Sequence, residues 1–222
     1  MPNIELTKVS DEIDRVPAPG KRGFALIRRF SLPAQREIAR FQEQVCTNLR
    51  EELRTAIYRF PSNVAHTTIE TLINPRIKEL EHERIFEENA DIYDRVFREI
   101  ADLIEADEVT FNAVEVSANA ITIIAEDSPT NTMRRIRDKM RADLKKALPA
   151  DVFNARIVYA REHLIHSSPM RFQGKIPLEA VRDAVAKSSV HFKERIADMD
   201  LVRGDRILVS QLTTMKHYIF RK

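Results

Sequence analysis

Hydrophobic residues recur along the chain with the spacing of helices in some stretches and of strands in others. Between residues 31 and 57 they recur every three or four positions, which predicts an amphipathic helix with Ser31 as its cap ahead of Pro33. The same spacing predicts helices over 75–107, after 127–129 and over 176–185. Apolar and β-branched stretches predict strands at 23–30, 62–74 and about 155–172, and hairpins that turn near 117–119 and 204–205.

The order of these elements repeats. A strand, a helix and a strand come first, and after a helix and a hairpin the chain again gives helix and strand, then a helix and a closing hairpin. This order predicts two similar lobes within a single domain, residues 23–222, with lobes of about 23–107 and 108–222. The C-terminal hairpin is a candidate to pack on the first lobe. Residues 1–22 form an N-terminal extension, read as a poorly structured lead-in or a short covering arm.

Composition narrows the class of protein. The 222 residues are 43% hydrophobic and 32% charged, which is typical of a globular protein. The 36 basic and 34 acidic residues exclude a strongly basic nucleic-acid coat but allow a local phosphate-binding groove. No apolar run approaches a membrane span, the N-terminus lacks a signal-peptide core, and a single cysteine, Cys46, fits a reducing compartment. We therefore expect a cytoplasmic protein that does not bind a membrane.

Two histidines stand out because each has a hydroxyl residue two positions later. His66 is followed by Thr68, and His166 by Ser168, each in the strand that closes one strand–helix–strand half. The other four histidines have no such neighbour. A lone histidine beside a threonine is usually a hydrogen-bonded structural residue, but two pairs in matched positions favour a functional site.

Strand alternation predicts which side chains share a face with each pair. On the first strand the predicted cleft face carries Val64, His66, Thr68, Glu70 and Leu72, and the opposite face, against helices, carries Ala65, Thr67, Ile69, Thr71 and Ile73. On the second strand the cleft face carries Leu164, His166, Ser168 and Met170. Pro169 cannot donate to a ladder, which predicts a sheet edge or a bulge directly after the second motif.

The two His-x-Thr/Ser motifs and their order resemble the two-histidine (2H) phosphoesterase superfamily, which includes bacterial 2′-5′ RNA ligase-like proteins and cyclic phosphodiesterases. The resemblance covers about residues 23–220, although Thr67 and Ser167 replace the usual apolar residue between histidine and hydroxyl. It implies an α+β fold that is bilobal, with two pseudo-symmetric strand–helix–strand lobes and antiparallel sheets around a central cleft. It also implies a monomer that binds RNA or a nucleotide as substrate.

The chemistry of such phosphodiesters suits these residues. Cleaving a 2′,3′-cyclic phosphate or a 2′-5′ phosphodiester needs one base and one acid, and histidine titrates nearest to neutral pH. His66 and His166 are therefore the candidate catalytic pair, and Thr68 and Ser168 the candidate donors to phosphate oxygens. The sequence has no convincing metal-ligand cluster, so we expect no metal and no cofactor.

Further contacts and other functions stay open at this stage. Arg171 is a candidate phosphate contact and Phe172 and Tyr218 are candidate base-stacking groups, but a strand-end charge and core packing fit them equally well. The arginine-rich run 133–146 is read as the solvated face of a helix. The alternatives are a non-catalytic RNA or nucleotide-binding module and a hydrolase with Ser168 as nucleophile, although no Gly-x-Ser-x-Gly elbow occurs. The sequence does not choose among RNA ends, 2′-5′ oligonucleotides and small cyclic nucleotides, nor between hydrolysis and ligation.

Overall fold

The computed structural model describes residues 4–13, 15–74, 81–154, 164–205 and 212–221. The strands within these residues are β1 (Gly23–Arg29), β2 (Ile57–Arg59), β3 (His66–Ile73), β4 (Asp107–Val116), β5 (Ala120–Glu126), β6 (Ile165–Phe172), β7 (Phe192–Ile196), β8 (Asp198–Gly204) and β9 (Leu212–Ile219). The helices are α1 (Leu32–Asn48), α2 (Glu51–Arg54), α3 (His82–Glu88), α4 (Ala90–Leu103), α5 (Thr132–Ala147), α6 (Ala150–Asn154) and α7 (Leu178–Ala186).

The strands form two antiparallel sheets. The first sheet has the order β3-β1-β8-β9, and the second has the order β2-β6-β5-β4-β7. The closing pair β8–β9 joins the first sheet through β1, while β2, from the first half of the chain, joins the second sheet through β6. The expected α+β class, with antiparallel sheets in two lobes, is therefore confirmed, and the two sheets exchange strands.

Helix α1 agrees with the sequence prediction at its N-terminal cap and on its buried face. The Ser31 hydroxyl accepts a hydrogen bond from the Ala34 amide at 3.5 Å, as expected for a cap. Ile38, Phe41 and Val45 lie one above another on the buried face of the helix. The predicted helix over 31–57 is nevertheless too long, because α1 ends at residue 48, a short α2 follows, and β2 starts at residue 57.

Helix α5 begins later than the predicted start at 127–129. The Asp127 carboxylate accepts hydrogen bonds from the Met133 and Arg134 amides at 3.1 and 2.9 Å, so it caps the helix from a distance. Asn131, directly before the helix, has a left-handed backbone with φ 53°, a conformation that asparagine tolerates. The intervening residues form the loop that brings Asp127 to the end of the helix.

The N-terminal extension is a covering arm. Thr7 exchanges hydrogen bonds with Ile176, its amide donating to the Ile176 carbonyl and its hydroxyl accepting from the Ile176 amide, both at 3.0 Å. The Ser10 amide donates to the Phe172 carbonyl at 2.7 Å. The arm therefore lies along the end of β6 and the loop that follows it.

Three of the sequence-based predictions reach beyond the described residues. The strand predicted at about 155–172 is described from residue 165 as β6, and residues 155–163 lie outside the description. Residues 75–80 of the helix predicted over 75–107 also lie outside it, and the described remainder forms α3 and α4, which meet at Asn89. Of the predicted turn at 204–205, Gly204 ends β8, and residues 206–211 lie outside the description.

A buried carboxylate links the two sheets where β1 ends. Glu194 of β7 is 2% exposed and accepts hydrogen bonds from the Arg28 guanidinium at 3.1 Å and from the Ser31 hydroxyl at 2.8 Å. The Ser31 amide donates to the same carboxylate at 3.2 Å. Because Arg28 and Ser31 flank the β1–α1 junction, this one side chain fixes the first sheet against the second.

We predict that Glu194→Ala lowers the free energy of unfolding by about 3 kcal/mol, because it removes one partner of a buried ion pair. Urea denaturation of the variant and the parent measures the change. The matched control is Glu108→Ala, because Glu108 and its partner Lys193 have side chains that are 51% and 60% exposed. An exposed pair contributes about 0–1 kcal/mol, and equal losses in both variants would contradict the role given to Glu194.

Candidate active site

The two predicted motifs meet at one pocket. His66 is the first residue of β3, at the edge of the first sheet, and His166 is the second residue of β6 in the second sheet. Both histidines line a pocket of about 710 Å³, counted to include the solvent at its mouth. The other residues that line it are Ile38, Phe60, Val64, Ala65, Thr68, Ser167, Ser168, Pro169 and Arg171. The structure thus brings together all four residues of the two motifs.

Each imidazole is oriented by the same kind of hydrogen bond. His66 Nδ1 lies 2.8 Å from the carbonyl oxygen of Val64, and His166 Nδ1 lies 3.4 Å from the carbonyl oxygen of Leu164. In both cases the acceptor is two residues earlier in the chain. A carbonyl only accepts, so each Nδ1 carries the hydrogen and donates, which leaves Nε2 with a free lone pair in the neutral ring.

Burial lowers the pKa of the His66 imidazole below its ordinary value of 6.5. The hydrogen bond to Val64 opposes this shift of the pKa, while the positive charges of Arg29 and protonated His166 add to it. Protonation of one imidazole therefore disfavours protonation of the other.

Burial also lowers the pKa of the His166 imidazole. The bond to Leu164 opposes this change, and the cations Arg137 and Arg171 lower the pKa further. Glu115 acts in the opposite direction. Without a bound anion, both rings are consequently biased towards the neutral form.

The two motif hydroxyls line the same pocket as the imidazoles. The Ser168 hydroxyl shares a hydrogen bond of 3.1 Å with the hydroxyl of Thr122 on β5. Thr122 was not a sequence candidate, because only the pairing of β5 with β6 brings it to the motif. A shared hydrogen bond of this kind fixes the direction of the Ser168 side chain and leaves a lone pair or a proton for a ligand.

A bulge in β6 follows the second motif, as Pro169 predicts. The pairing of β5 with β6 shifts register between Ile121 and Ile123, opposite Ser168 and Pro169. The buried Gln42 amide donates to the Pro169 carbonyl at 2.8 Å and to the Phe60 carbonyl at 2.9 Å, so the displaced backbone is satisfied.

The predicted cleft faces are correct for Val64 and the four motif residues, but Ala65, predicted on the opposite face, also lines the pocket, and Leu164, predicted on the cleft face, does not. Glu70 and Leu72 do not line the pocket, and the buried Glu70 carboxylate accepts from Arg141 of α5 at 2.7 Å. The cause is a pair of register shifts between β1 and β3, which interrupt the two-residue alternation. The bulge has the same effect in β6, where Met170 is buried and Arg171 lines the pocket.

Of the three further candidates, only Arg171 lines the pocket. Phe172 is fully buried in the hydrophobic core, where its neighbours leave no face for a base. Tyr218 is 4% exposed, its hydroxyl donates to the Asp94 carboxylate at 2.9 Å, and burial raises its pKa. For Phe172 and Tyr218, core packing is therefore the correct interpretation.

One wall of the pocket depends on the N-terminal arm. Ile13 is 5% exposed and packs with Phe60 in a small apolar cluster to which Tyr58 and Val64 also belong. Phe60 and Val64 line the pocket, and the Val64 carbonyl orients His66. The sequence reading of residues 1–22 did not anticipate this contribution to the site.

A polar cluster that the sequence did not suggest lies beside the first motif. Arg29 is the cross-strand neighbour of His66, and its guanidinium donates to Asp200 at 3.1 Å and to Thr214 at 3.0 Å. His217 Nδ1 bonds to the same Asp200 carboxylate at 2.7 Å. Arg29, Asp200, Thr214 and His217 come from three strands, β1, β8 and β9, and share no motif, so only the sheet order brings them together.

No group of three or more histidine, cysteine, aspartate and glutamate side chains within the described residues is placed to hold a metal ion. No helix that the structure describes combines the length and the apolar character that a membrane crossing needs.

Thr67 and Thr68 offer a matched test of the strand orientation. The Thr67 hydroxyl is fully buried and has no hydrogen-bond partner among the described residues, whereas Thr68 lines the pocket. We predict that Thr67→Val raises the free energy of unfolding by about 1 kcal/mol, because a methyl group replaces an unsatisfied buried hydroxyl of the same shape.

Thr68→Val is the control, and its free energy of unfolding should stay within about 0.5 kcal/mol of the parent. Denaturant unfolding of both variants measures the two values. A loss of stability in Thr67→Val would mean that its hydroxyl has a partner, and the assigned orientation of β3 would be wrong.

Comparison with solved structures shows a shared fold over most of the chain. TT0787 of Thermus thermophilus matches with a TM-score of 0.63 and 11% identity, over 90% of this chain and 98% of that one. E. coli LigT complexed with 3′-AMP matches with a TM-score of 0.55 and 11% identity, over 90% and 99%. A protein described as a phosphoesterase gives 0.54 and 10%, over 90% and 99%.

No protein-family model matches the sequence, and no curated protein sequence matches it. At identities near one in ten, the structural similarity concerns the fold alone. The chain therefore shares the fold of LigT and of these other solved proteins, and the fold that the two motifs implied is confirmed.

Proposed function

We propose that this chain is a phosphoesterase of the two-histidine type, which acts on a 2′,3′-cyclic phosphate or a 2′-5′ phosphodiester of RNA or a nucleotide. His66 and His166 serve as general acid and base, and no metal ion takes part. The observation that carries the proposal is the matched pair of imidazoles on one pocket, each with Nδ1 tied to the carbonyl two residues earlier.

The proposed reaction depends on which of the two Nε2 atoms carries a proton. One neutral Nε2 accepts the proton of the attacking water or hydroxyl, while the other, protonated, donates its proton to the leaving oxygen. Each proton transfer supplies a factor of about 10²–10⁴ in rate. With a 2′-5′ phosphodiester, the neighbouring 3′-hydroxyl attacks phosphorus and the 5′-oxygen leaves with a proton, which gives a 2′,3′-cyclic phosphate. Ligation is this transesterification in the opposite direction, and the same pair of imidazoles serves it.

The hydroxyls and Arg171 act on the phosphate itself. Thr68 and Ser168 donate hydrogen bonds to its non-bridging oxygens, where negative charge develops as the bond breaks. Arg171, which lines the pocket, adds a cationic contact. A bound phosphate anion also raises the pKa of the nearest imidazole, which supplies the protonated partner that burial alone disfavours.

The comparisons support the nature of the substrate. LigT has been crystallised with 3′-AMP, with phosphate, with NADP+ and with ATP. A fold that accepts nucleotides and phosphate in one protein is compatible with a nucleotide or RNA substrate here. We further propose that the chain works as a monomer in the cytoplasm, away from membranes and without a cofactor.

Turnover tests the proposal directly. The parent protein in EDTA is incubated with RNA ends that carry a 2′,3′-cyclic phosphate, with 2′-5′ linked oligonucleotides and with cyclic nucleotides. We expect turnover of at least one of them and its near abolition in His66→Ala and in His166→Ala, because water replaces a proton-transfer partner poorly. The double variant should lose little more than either single one, since the pair acts as a unit.

His191→Ala is the matched control, because His191 is exposed and does not line the pocket. Thermal melts confirm that each variant is folded. A folded His66→Ala protein that retains the parent rate would make the imidazole structural. Substrate binding without turnover in the parent would favour the non-catalytic binding module, and activity lost in EDTA but restored by a divalent ion would replace the mechanism with a metal-dependent one.

The pH dependence of kcat/KM is predicted to be bell-shaped with its optimum below about pH 6.5. The active free enzyme holds one proton on the pair, and this form peaks midway between the two pKa values. Both pKa values lie below the ordinary 6.5 because the rings are buried. Initial rates measured from about pH 4.5 to about pH 9 give the profile. An optimum above about pH 7.5 would contradict the assignment.

A further inference from the structure

A buried arginine connects the two strands that carry the motifs. Arg137 of α5 is 4% exposed, and its guanidinium donates to three main-chain carbonyl oxygens. Nε reaches Ile69 at 2.9 Å and Nη2 reaches Thr68 at 2.8 Å, both on β3. Nη1 reaches Leu164, directly before β6, at 3.1 Å.

Two of these carbonyls belong to the two half-sites, each of which consists of one motif (His66 with Thr68, or His166 with Ser168) and the carbonyl that orients its histidine. Thr68 supplies the first motif hydroxyl, and the Leu164 carbonyl is also the acceptor that orients the His166 imidazole. One guanidinium therefore contacts the backbone of the first half-site and the orienting group of the second.

The separation of the half-sites needs such a connection. Strands β3 and β6 belong to different sheets, and no ladder pairs them within the described residues. Backbone hydrogen bonds therefore fix each motif within its own sheet, and the Arg137 guanidinium adds a direct contact to the backbone of both. A planar guanidinium, with donors in a rigid fork, spans two backbones in a way that an ammonium group does not.

We propose that Arg137 is a positioning residue, which holds the two half-sites at the separation and register at which both imidazoles reach one phosphate. The proposal rests on the function proposed above insofar as that separation serves phosphate transfer. Arg137 does not line the pocket, so its effect on substrate is exerted through the carbonyls that it binds. The sequence places it in a run read as a solvated face, whereas the structure buries it.

The positive charge of Arg137 also lowers the pKa of His166, so this electrostatic effect can be tested separately from the positioning of the half-sites. The titratable and charged groups around His166 are Arg137 on α5, Arg171 on β6, Glu115 on β4 and His66 on β3, which lines the same pocket. Those around Arg137 are Glu70, Arg141, Asp127 and Asp138. Lysine at position 137 keeps the positive charge but not the fork, while methionine keeps neither.

The test compares Arg137→Lys and Arg137→Met with Arg134→Lys and Arg134→Met. Arg134 lies on the same helix, its side chain is 58% exposed, and it neighbours Asp138 at 3.7 Å. For Arg137→Lys we expect kcat to fall by about 10–10²-fold with a smaller change in KM, since misplacement of about 1 Å costs that much in rate. Its pH profile should keep the parent limbs, because the cation near His166 remains.

For Arg137→Met we expect the same fall in kcat and a shift of the pH profile to higher pH, because loss of the cation lets the pKa of His166 rise. Both Arg134 variants should match the parent. An Arg137→Lys protein with the parent kcat would overturn the proposal, and if Arg137→Met does not fold, Arg137→Lys decides alone.

A crystal structure of Arg137→Lys tests the same idea without any substrate. We expect the separation between the Thr68 and Leu164 carbonyl oxygens to differ from that in a crystal structure of the parent. An unchanged separation would overturn the positioning role even if the parent is an active enzyme. If the parent turns over no phosphodiester and the separation changes, the proposed function fails and the positioning role stands.

Discussion

The arrangement of the pocket depends on one hydrogen bond that occurs twice. In each motif the imidazole Nδ1 donates to the carbonyl two residues earlier, Val64 for the first ring and Leu164 for the second. This bond selects the tautomer and uses no side chain other than the histidine itself. Because this hydrogen bond needs only a histidine on a strand and the carbonyl two residues before it, the same bond forms on two different sheets.

Other contacts around the site hold the two strands that carry the histidines in place. Glu194 fixes the β1–α1 junction of the first sheet against the second sheet, and Gln42 satisfies the backbone of the bulge after Ser168. The N-terminal arm supports the wall that contains Val64. Burial lowers the pKa of both rings, and a nearby anion acts in the opposite direction.

Local patterns predicted the elements that depend on local chemistry. The cap at Ser31, the hairpin β4–β5 and the bulge at Pro169 all follow from a few neighbouring residues. The strand predicted over 62–74 is present as β3, but it begins only at His66, because Ser62–Val64 form a 3-10 turn. The four motif residues were found in the same way, because each pair is a short pattern on one strand. Strand β2 was missed because its three residues follow a helical stretch with no break in hydrophobic spacing.

The remaining features depend on contacts between distant parts of the chain. Arg137 has the sequence context of a solvent-facing arginine, and nothing near it in the chain indicates that carbonyls of two strands surround its guanidinium. The register shifts between β1 and β3 turn Glu70 away from the pocket, although simple alternation places it beside Thr68. Phe172 and Tyr218 are buried because of sheet packing that composition does not reveal.

The central claim is that both half-sites bind one phosphate together. A crystal structure of the protein soaked in inorganic phosphate tests this most directly. The account predicts a phosphate between the rings, with the Nε2 atoms of His66 and His166 and the hydroxyls of Thr68 and Ser168 all within about 3 Å of its oxygens. A phosphate that contacts only one half-site, or that binds elsewhere and leaves the pocket without an anion, would contradict it.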